Sequence, residues 1–307
     1  MKNKRILVTG GAGFIGSNLA NHLAVDNEIT VVDNGYLGTP ANLNENITYR
    51  EQSVLADDLP TNVDIIFHLA ALSSYAMHED NPQQGARVNI EGFVNVVEQA
   101  RQDGCSTVVY ASTSSIYGSR TTPTPEDVDI TVNTGYEASK VARERYAEYF
   151  SNHYGMTLAG LRYFSVYQGY GGSEAHKNEY ANVIAQFADN IADGTRPKLY
   201  GDGTQTRDFT HVSDIVRGTR LAAEHELDGV YNLGTGERHS FNTVVDRIND
   251  ELGTDIAPKY VENPIPDDVY VRHTCSDSSK ITNETGWSPE IGFSEGVKRV
   301  CAAYTSD

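Results

Sequence analysis

Tyr136 and Lys140 stand four residues apart in a helix-like stretch, 136–154, so they share one face about 6 Å apart along its axis. A phenol is a weak base at its ordinary pKa of about 10. An ammonium one turn along stabilises the phenolate and lowers that value. Such a pair can draw a proton from a hydroxyl. Tyrosine and lysine at this spacing are usually plain helix-surface residues. The pair gains weight from Tyr110-Ala-Ser-Thr-Ser-Ser115, which ends an apolar strand and sets hydroxyls, Thr113 among them, at the rim of the same sheet.

A second constellation lies near the start of the chain. Gly10, Gly13 and Gly16 recur at three-residue spacing after the apolar run Ile6, Leu7, Val8, and they open a helix. A glycine turn between strand and helix lets backbone amides and the positive helix end approach a pyrophosphate. A later apolar run, 29–32, ends in Asp33, placed to take both ribose hydroxyls of an adenosine. The carboxylate repels a 2′-phosphate, and Asn34, Gly35 and Tyr36 follow it without an arginine. These residues predict a bound dinucleotide, NAD rather than NADP.

The elements that position these groups alternate. Runs 6–8, 29–32, 47–49, 65–69, 107–111 and 158–164 read as strands, and 17–25, 84–103 and 136–154 as amphipathic helices. The alternation predicts an α/β fold with a Rossmann-type doubly wound parallel sheet, whose ligands sit beyond the carboxyl ends of the strands. After Phe164 the pattern changes. A glycine-rich stretch, 168–172, precedes helix-like segments at 180–193, 212–226 and 241–251, two glycine turns within 196–207, and a proline-punctuated loop, 258–266. The second half therefore reads as a smaller C-terminal α/β cap. Residues 1–165, with segments near 203–250, are expected to bind NAD, and 166–202 with 251–307 to bind substrate.

Composition bounds the rest. The 307 residues carry 42 acidic against 24 basic side chains, a net charge of −18, and the basic set holds 8 Lys to 16 Arg. That field repels a polyanion, so nucleic acid is not an expected partner. Acid-rich, lysine-poor surfaces suit a high-salt cytoplasm, where screening removes self-repulsion. No run of apolar residues is long enough for a membrane span, and the apolar run before the glycines is too short for a signal peptide. Cys105, Cys275 and Cys301 lack the spacing of a disulfide framework or zinc site; no metal is expected, and a reducing cytoplasm fits.

Over essentially its whole length the chain resembles extended short-chain dehydrogenases/reductases of the NAD-dependent nucleotide-sugar epimerase/dehydratase family. The resemblance is carried in order by Thr9-Gly-Gly-Ala-Gly-Phe-Ile-Gly16, Val32-Asp-Asn34, His68-Leu-Ala-Ala71, Asn89-Ile-Glu-Gly92, residues 112–118 and the Tyr136/Lys140 pair. Leu161-Arg-Tyr-Phe164, Tyr200-Gly-Asp-Gly203, Gln205-Thr-Arg-Asp-Phe209 and Arg272-His273 leading to Asp277-Ser-Ser-Lys280 follow.

The resemblance implies a 4-epimerase interconverting UDP-glucose and UDP-galactose through a transient 4-keto sugar, with NAD retained. Tyr136 would take the hydroxyl proton, Lys140 would hold the nicotinamide ribose, and Thr113 would bond the reacting oxygen. It sets NAD on Gly10, Gly13, Phe14, Ile15, Gly16, Asp33, Asn34, Tyr36, Gly38, Ser53, Val54, Leu69, Ala70, Ala71, Ser73, Asn89 and Phe164. It sets the nucleotide sugar on Ser74, Thr113, Ser165, Asn182, Val183, Lys198, Tyr200, Arg207 and Arg272, the two arginines clamping the diphosphate. A homodimer through helices near 88–101 and 136–154 is also implied.

In dehydratases and decarboxylases of the family an acid follows the threonine, whereas Thr113-Ser114-Ser115 holds none, which favours epimerisation. A small Thr274, where some 4-epimerases carry a bulky tyrosine, leaves room for an N-acetyl group. Ser53, Gly135, Ser165 and Gln168 depart from the family pattern. The segment Glu174-Ala-His-Lys177 resembles one in ADP-heptose 6-epimerases, where the lysine is a second acid/base. An epimerase acting at another carbon, a 4-keto-sugar reductase and a non-catalytic NAD-binding protein are the alternatives.

Overall fold

The computed structural model describes residues 1–305. Seven strands form one sheet: β1 (Arg5–Thr9), β2 (Glu28–Asp33), β3 (Thr48–Glu51), β4 (Ile65–His68), β5 (Thr107–Ala111), β6 (Thr157–Tyr163) and β7 (Gly229–Leu233). Their order is β7-β6-β5-β4-β1-β2-β3, and every neighbouring pair runs parallel. Consecutive buried residues such as Ile6, Leu7 and Val8 reflect a sheet covered on both faces. The strand order reverses between β1 and β4, which opens a crevice beyond their carboxyl ends.

One face is covered by α1 (Phe14–Leu23) and the helix Val212–Glu224, around Val8, Leu19, Phe67 and Ile215. The other is covered by α2 (Gly92–Gln102) and α3 (Gly135–Tyr154), around Leu7, Ile66, Phe93 and Phe150. The start of α3 is set by a capping box. The Glu137 amide donates to Thr134 Oγ1 at 3.1 Å and the Glu137 carboxylate accepts from the Thr134 amide. Tyr136 is thereby fixed in the first turn.

A further core gathers Phe187, Leu199, Phe209, Ile248 and Val297 from helices Val183–Ala192, Phe241–Leu252 and Phe293–Thr305 and the strand Lys198–Tyr200. Asp208 fastens this region. Its buried carboxylate accepts from the amides of Thr235 (2.8 Å), Gly236 (2.9 Å) and Ser276 (2.9 Å) and from the Thr235 hydroxyl.

Several elements differ from expectation. The helix expected over 84–103 is divided into Pro82–Ala86, a π-helical turn Arg87–Glu91 and α2. Gly92 marks the last junction, where a Cβ would stand 2.6 Å from a Val54 methyl. The expected loop 258–266 contains the strand Lys259–Val261, which pairs in parallel with Lys198–Tyr200. Helices Ser279–Thr285 and Phe293–Thr305 were not legible in the apolar periodicity. Among the described residues no helix is long and apolar enough to cross a membrane.

Candidate active site

The crevice at the strand ends is a cleft of about 620 Å³. Its cofactor-facing end is shaped by close backbone approach. Gly10 has φ +68°, and a Cβ there would meet the Ala70 amide nitrogen at 2.5 Å; one on Gly16 would meet the Gly10 carbonyl oxygen at 2.1 Å. Only glycine permits both. The N-cap of α1, Gly13, has no side chain to satisfy the first-turn amides, so they remain for a ligand's anion. Asp33 is held at the rim by the Ala12 amide (3.1 Å) and the Gly35 amide (3.0 Å). Backbone cradle, uncapped helix end and fixed carboxylate match the pyrophosphate and ribose of a dinucleotide.

Beyond the ends of β5 and β6 lie groups whose chemistry permits proton transfer. Lys140, buried, donates to the Ala111 carbonyl oxygen at 3.1 Å, and its ammonium stands 5.7 Å from the Tyr136 ring centroid. Burial pushes the Tyr136 hydroxyl up from its usual pKa, and a hydrogen bond with Thr113 followed by the Arg143 charge pulls it back. Lys140 lies well below the ordinary lysine value, first through burial and then through repulsion from Arg143. The cation that acts on the phenol is thus Arg143, which the sequence did not single out, whereas the influence expected of Lys140 is not among the causes of the Tyr136 shift. Arg143 is fully buried and donates to the carbonyl oxygens of Asn89 (2.6 Å) and Ala70 (2.8 Å), while its Nη1 has no partner among the described residues.

The neighbouring carboxylate, Glu144, is committed elsewhere. It binds Arg162 through two bonds of 2.9 and 2.7 Å and accepts from Ser112 Oγ at 2.5 Å. That network clamps the end of β5 against α3 and keeps Thr113 beside Tyr136.

The cleft brings together Gly10, Gly13, Phe14, Ile15, Gly16, Asp33, Asn34, Tyr36, Gly38, Ser53, Val54, Leu69, Ala70, Ala71 and Ser73 with Thr113, Tyr136, Lys140, Ser165 and Arg207. Other expected contacts lie outside its lining. Asn89 is buried behind it, its side chain accepting from the Leu72 amide and donating to Ser139 Oγ. Phe164 stacks on Tyr117 in a small core. Asn182 caps the helix that Val183 begins, and its amide donates to the Ser165 and Val166 carbonyl oxygens. Ser74 Oγ accepts from the Met77 amide. Lys198 and Tyr200 are exposed on the outer strand, and Arg272 faces Asp202 at 3.7 Å.

Sequence reasoning missed Arg143 and the wall formed by Met77, Asp80, Asn81 and Gln84. Pro82 and the Asn81 cap signal a helix start in that wall, although its place over the crevice depends on packing. Thr274 and Val271 also line the cleft, near Arg207, whose guanidinium lies 5.7 Å from the Tyr270 ring centroid. Ser165 holds φ +28°, a conformation that asparagine adopts more readily than serine.

Residues 6–234 match the model of the NAD dependent epimerase/dehydratase family. The chain is 32% identical to a putative UDP-glucose 4-epimerase of Methanocaldococcus jannaschii over 96% of each chain. A UDP-N-acetylglucosamine 4-epimerase from Methanobrevibacter ruminantium, solved with UDP-N-acetylmuramic acid, superposes with a TM-score of 0.91 at 31% identity, covering 99% of both chains. A UDP-glucose 4-epimerase from Thermotoga maritima, solved with UDP-glucose, gives 0.89 at 32% identity over 98% of both. With the glycine cradle, the Tyr136/Lys140 pair and this agreement along the chain, the protein belongs to the NAD dependent epimerase/dehydratase family.

Proposed function

We propose that the protein is an NAD-dependent 4-epimerase of UDP-hexoses. The observation that carries this reading is the continuity of one cleft from the dinucleotide cradle at Gly10 and Asp33 to the Thr113–Tyr136–Lys140 group and on to Arg207. When bound, NAD supplies a reversible two-electron acceptor for the sugar carbinol. The glycine turn and the α1 amides would hold its pyrophosphate, Asp33 its adenosine ribose, and Lys140 its second ribose. Tyr136 takes the proton from the sugar hydroxyl at its phenolic oxygen and returns it, while Thr113 steadies that oxygen. Arg207 has the geometry to engage a diphosphate.

Ser114 and Ser115 fill the positions where elimination or decarboxylation would need an acid, which favours epimerisation. Thr274 is short and lines the cleft, which supports acceptance of N-acetyl sugars alongside the plain hexoses. Residues 1–165 with the stretch 212–233 would form the cofactor half and 166–202 with most of 251–307 the substrate half, the helix Phe241–Leu252 packing with the latter and Ile281 and Trp287 with the former. Tyr146, Tyr149 and Tyr154 are exposed along α3, with Arg101 of α2 lying 4.6 Å over the Tyr154 ring, and this aromatic face suits pairing of two protomers. A cytoplasmic, high-salt setting accords with the charge of −18.

The test is a coupled assay of UDP-glucose, UDP-galactose and their N-acetyl forms, with NAD measured after denaturation. Interconversion without added cofactor is expected. Stoichiometric NADH consumption would establish a reductase instead, and turnover surviving Tyr136→Phe would refute the mechanism.

A further inference from the structure

The segment 168–182 contains the Glu-Ala-His-Lys run, and its anchoring shows where Lys177 acts. Glu174, fully buried, folds the segment on itself by accepting from the amides of Gln168 (2.8 Å), Gly169 (2.9 Å) and Asn182 (2.6 Å). The folded segment is then bolted along α1. Gln168 and Asn18 exchange two amide hydrogen bonds of 3.0 and 3.1 Å, and Asn18 also donates to Ser173 Oγ at 2.6 Å. Further along, His176 Nδ1 accepts from Asn42 at 3.1 Å, and Asn42 reaches the Ala12 carbonyl oxygen within the glycine turn.

These ties leave the Lys177 ammonium 5.5 Å from the ring centroid of Phe14, the first residue of α1. The ammonium lines the cleft yet makes no hydrogen bond or ion pair with any described residue, and burial lowers its pKa. A half-buried cation beside an uncapped helix start is complementary to a doubly charged anion between them. A second acid/base would instead have to reach the hydroxyl that Tyr136 serves, but the bolts hold the segment along the cofactor helix.

We propose that Lys177 clamps the pyrophosphate of the bound dinucleotide against the start of α1, and that 168–182 is a strap that keeps the cofactor in place between turnovers. This rests on the cofactor site proposed above. It also gives Gln168 a purpose, since a glycine there would remove both bonds to Asn18.

The test compares the wild type with Lys177→Met and Lys177→Arg, measuring NAD carried through purification and the Kd for NAD. Lys177→Met is expected to lose its NAD, to bind it about 10- to 100-fold more weakly, and to recover near-normal turnover in saturating NAD. Lys177→Arg is expected to retain it. NAD retention in Lys177→Met equal to wild type would overturn the clamp, and a kcat lost beyond rescue by NAD would assign Lys177 to proton transfer instead. Should Lys177→Met fail to fold, amine labelling of the wild type decides. ADP-ribose, which carries the pyrophosphate without nicotinamide, is expected to protect Lys177, and protection by UDP alone but not by ADP-ribose would overturn the assignment. A wild type that neither carries nor binds NAD would defeat the proposed function itself, an outcome distinct from these.

Discussion

Arg143 lies one helical turn beyond Lys140 on α3, and its positive charge adds to the burial that pulls the Lys140 pKa down. The carboxylate beside them, Glu144, is hydrogen-bonded to Arg162, so the Arg143 guanidinium has no carboxylate of its own among the described residues. A phenolate on Tyr136 supplies an anion.

The charged and titratable groups facing Tyr136 are Lys140, Arg143 and Glu137 from its own helix and His78 from the adjoining wall, the last with its ring centroid 5.7 Å away. Replacing Arg143 by Met removes an influence that favours the phenolate. The Tyr136 pKa then rises, and the acidic limb of the kcat/KM profile moves to higher pH by about one unit, equivalent to roughly 1.4 kcal/mol. Arg143→Lys should restore part of the shift. A rate loss of the same size at every pH would mean that Arg143 acts on structure alone.

Stability should fall on mild acidification. Burial, reinforced by Arg299, pushes the His211 imidazole down to about 4 from an ordinary 6.5. The unfolded chain therefore binds a proton that the folded chain refuses, and stability is full above pH 6.5 and is lost as pH falls toward 4. This single group accounts for about 3 kcal/mol across that window. His211 also caps the helix Val212–Glu224, its Nδ1 accepting from the Ser213 amide at 3.2 Å. Asparagine is a strong cap and does not titrate. His211→Asn should flatten the Tm-against-pH curve between pH 6.5 and 4, and an unchanged slope would assign the acid sensitivity to other groups.

Asp208→Asn should destabilise the protein by about 2–4 kcal/mol, because an amide NH₂ would then face backbone N–H donors. Urea unfolding measures this directly. A loss below about 0.5 kcal/mol would show that the loops re-form without the carboxylate.

The parts of the site that were legible in the sequence are those whose chemistry is written locally. Gly10, Gly13 and Gly16 reveal a cradle because the turn they make spans only a few residues, and Tyr136 and Lys140 meet on one helix by spacing alone. Arg143 carries no such mark. Its partners Asn89 and Ala70 lie 54 and 73 positions away, so only the packed fold shows that it is buried under the cleft. Gln168 looked like a departure because its reason, Asn18, is 150 residues distant. Arg207 and Arg272 looked alike in the sequence, yet the fold turns the first into the cleft and the second toward Asp202.

The buried carboxylate at Asp208 also dictates an order of assembly during translation. It draws its amide donors from residues 27 to 68 positions downstream, so a nascent polypeptide still lacking Ser276 strands a desolvated acid without its full complement. The first four strands and the glycine turn lie within residues 5–68, so that end of the sheet leaves the ribosome long before the ligands of this anchor exist. Truncation or stalling upstream of that serine should yield chains that chaperones and proteases recognise as unfinished.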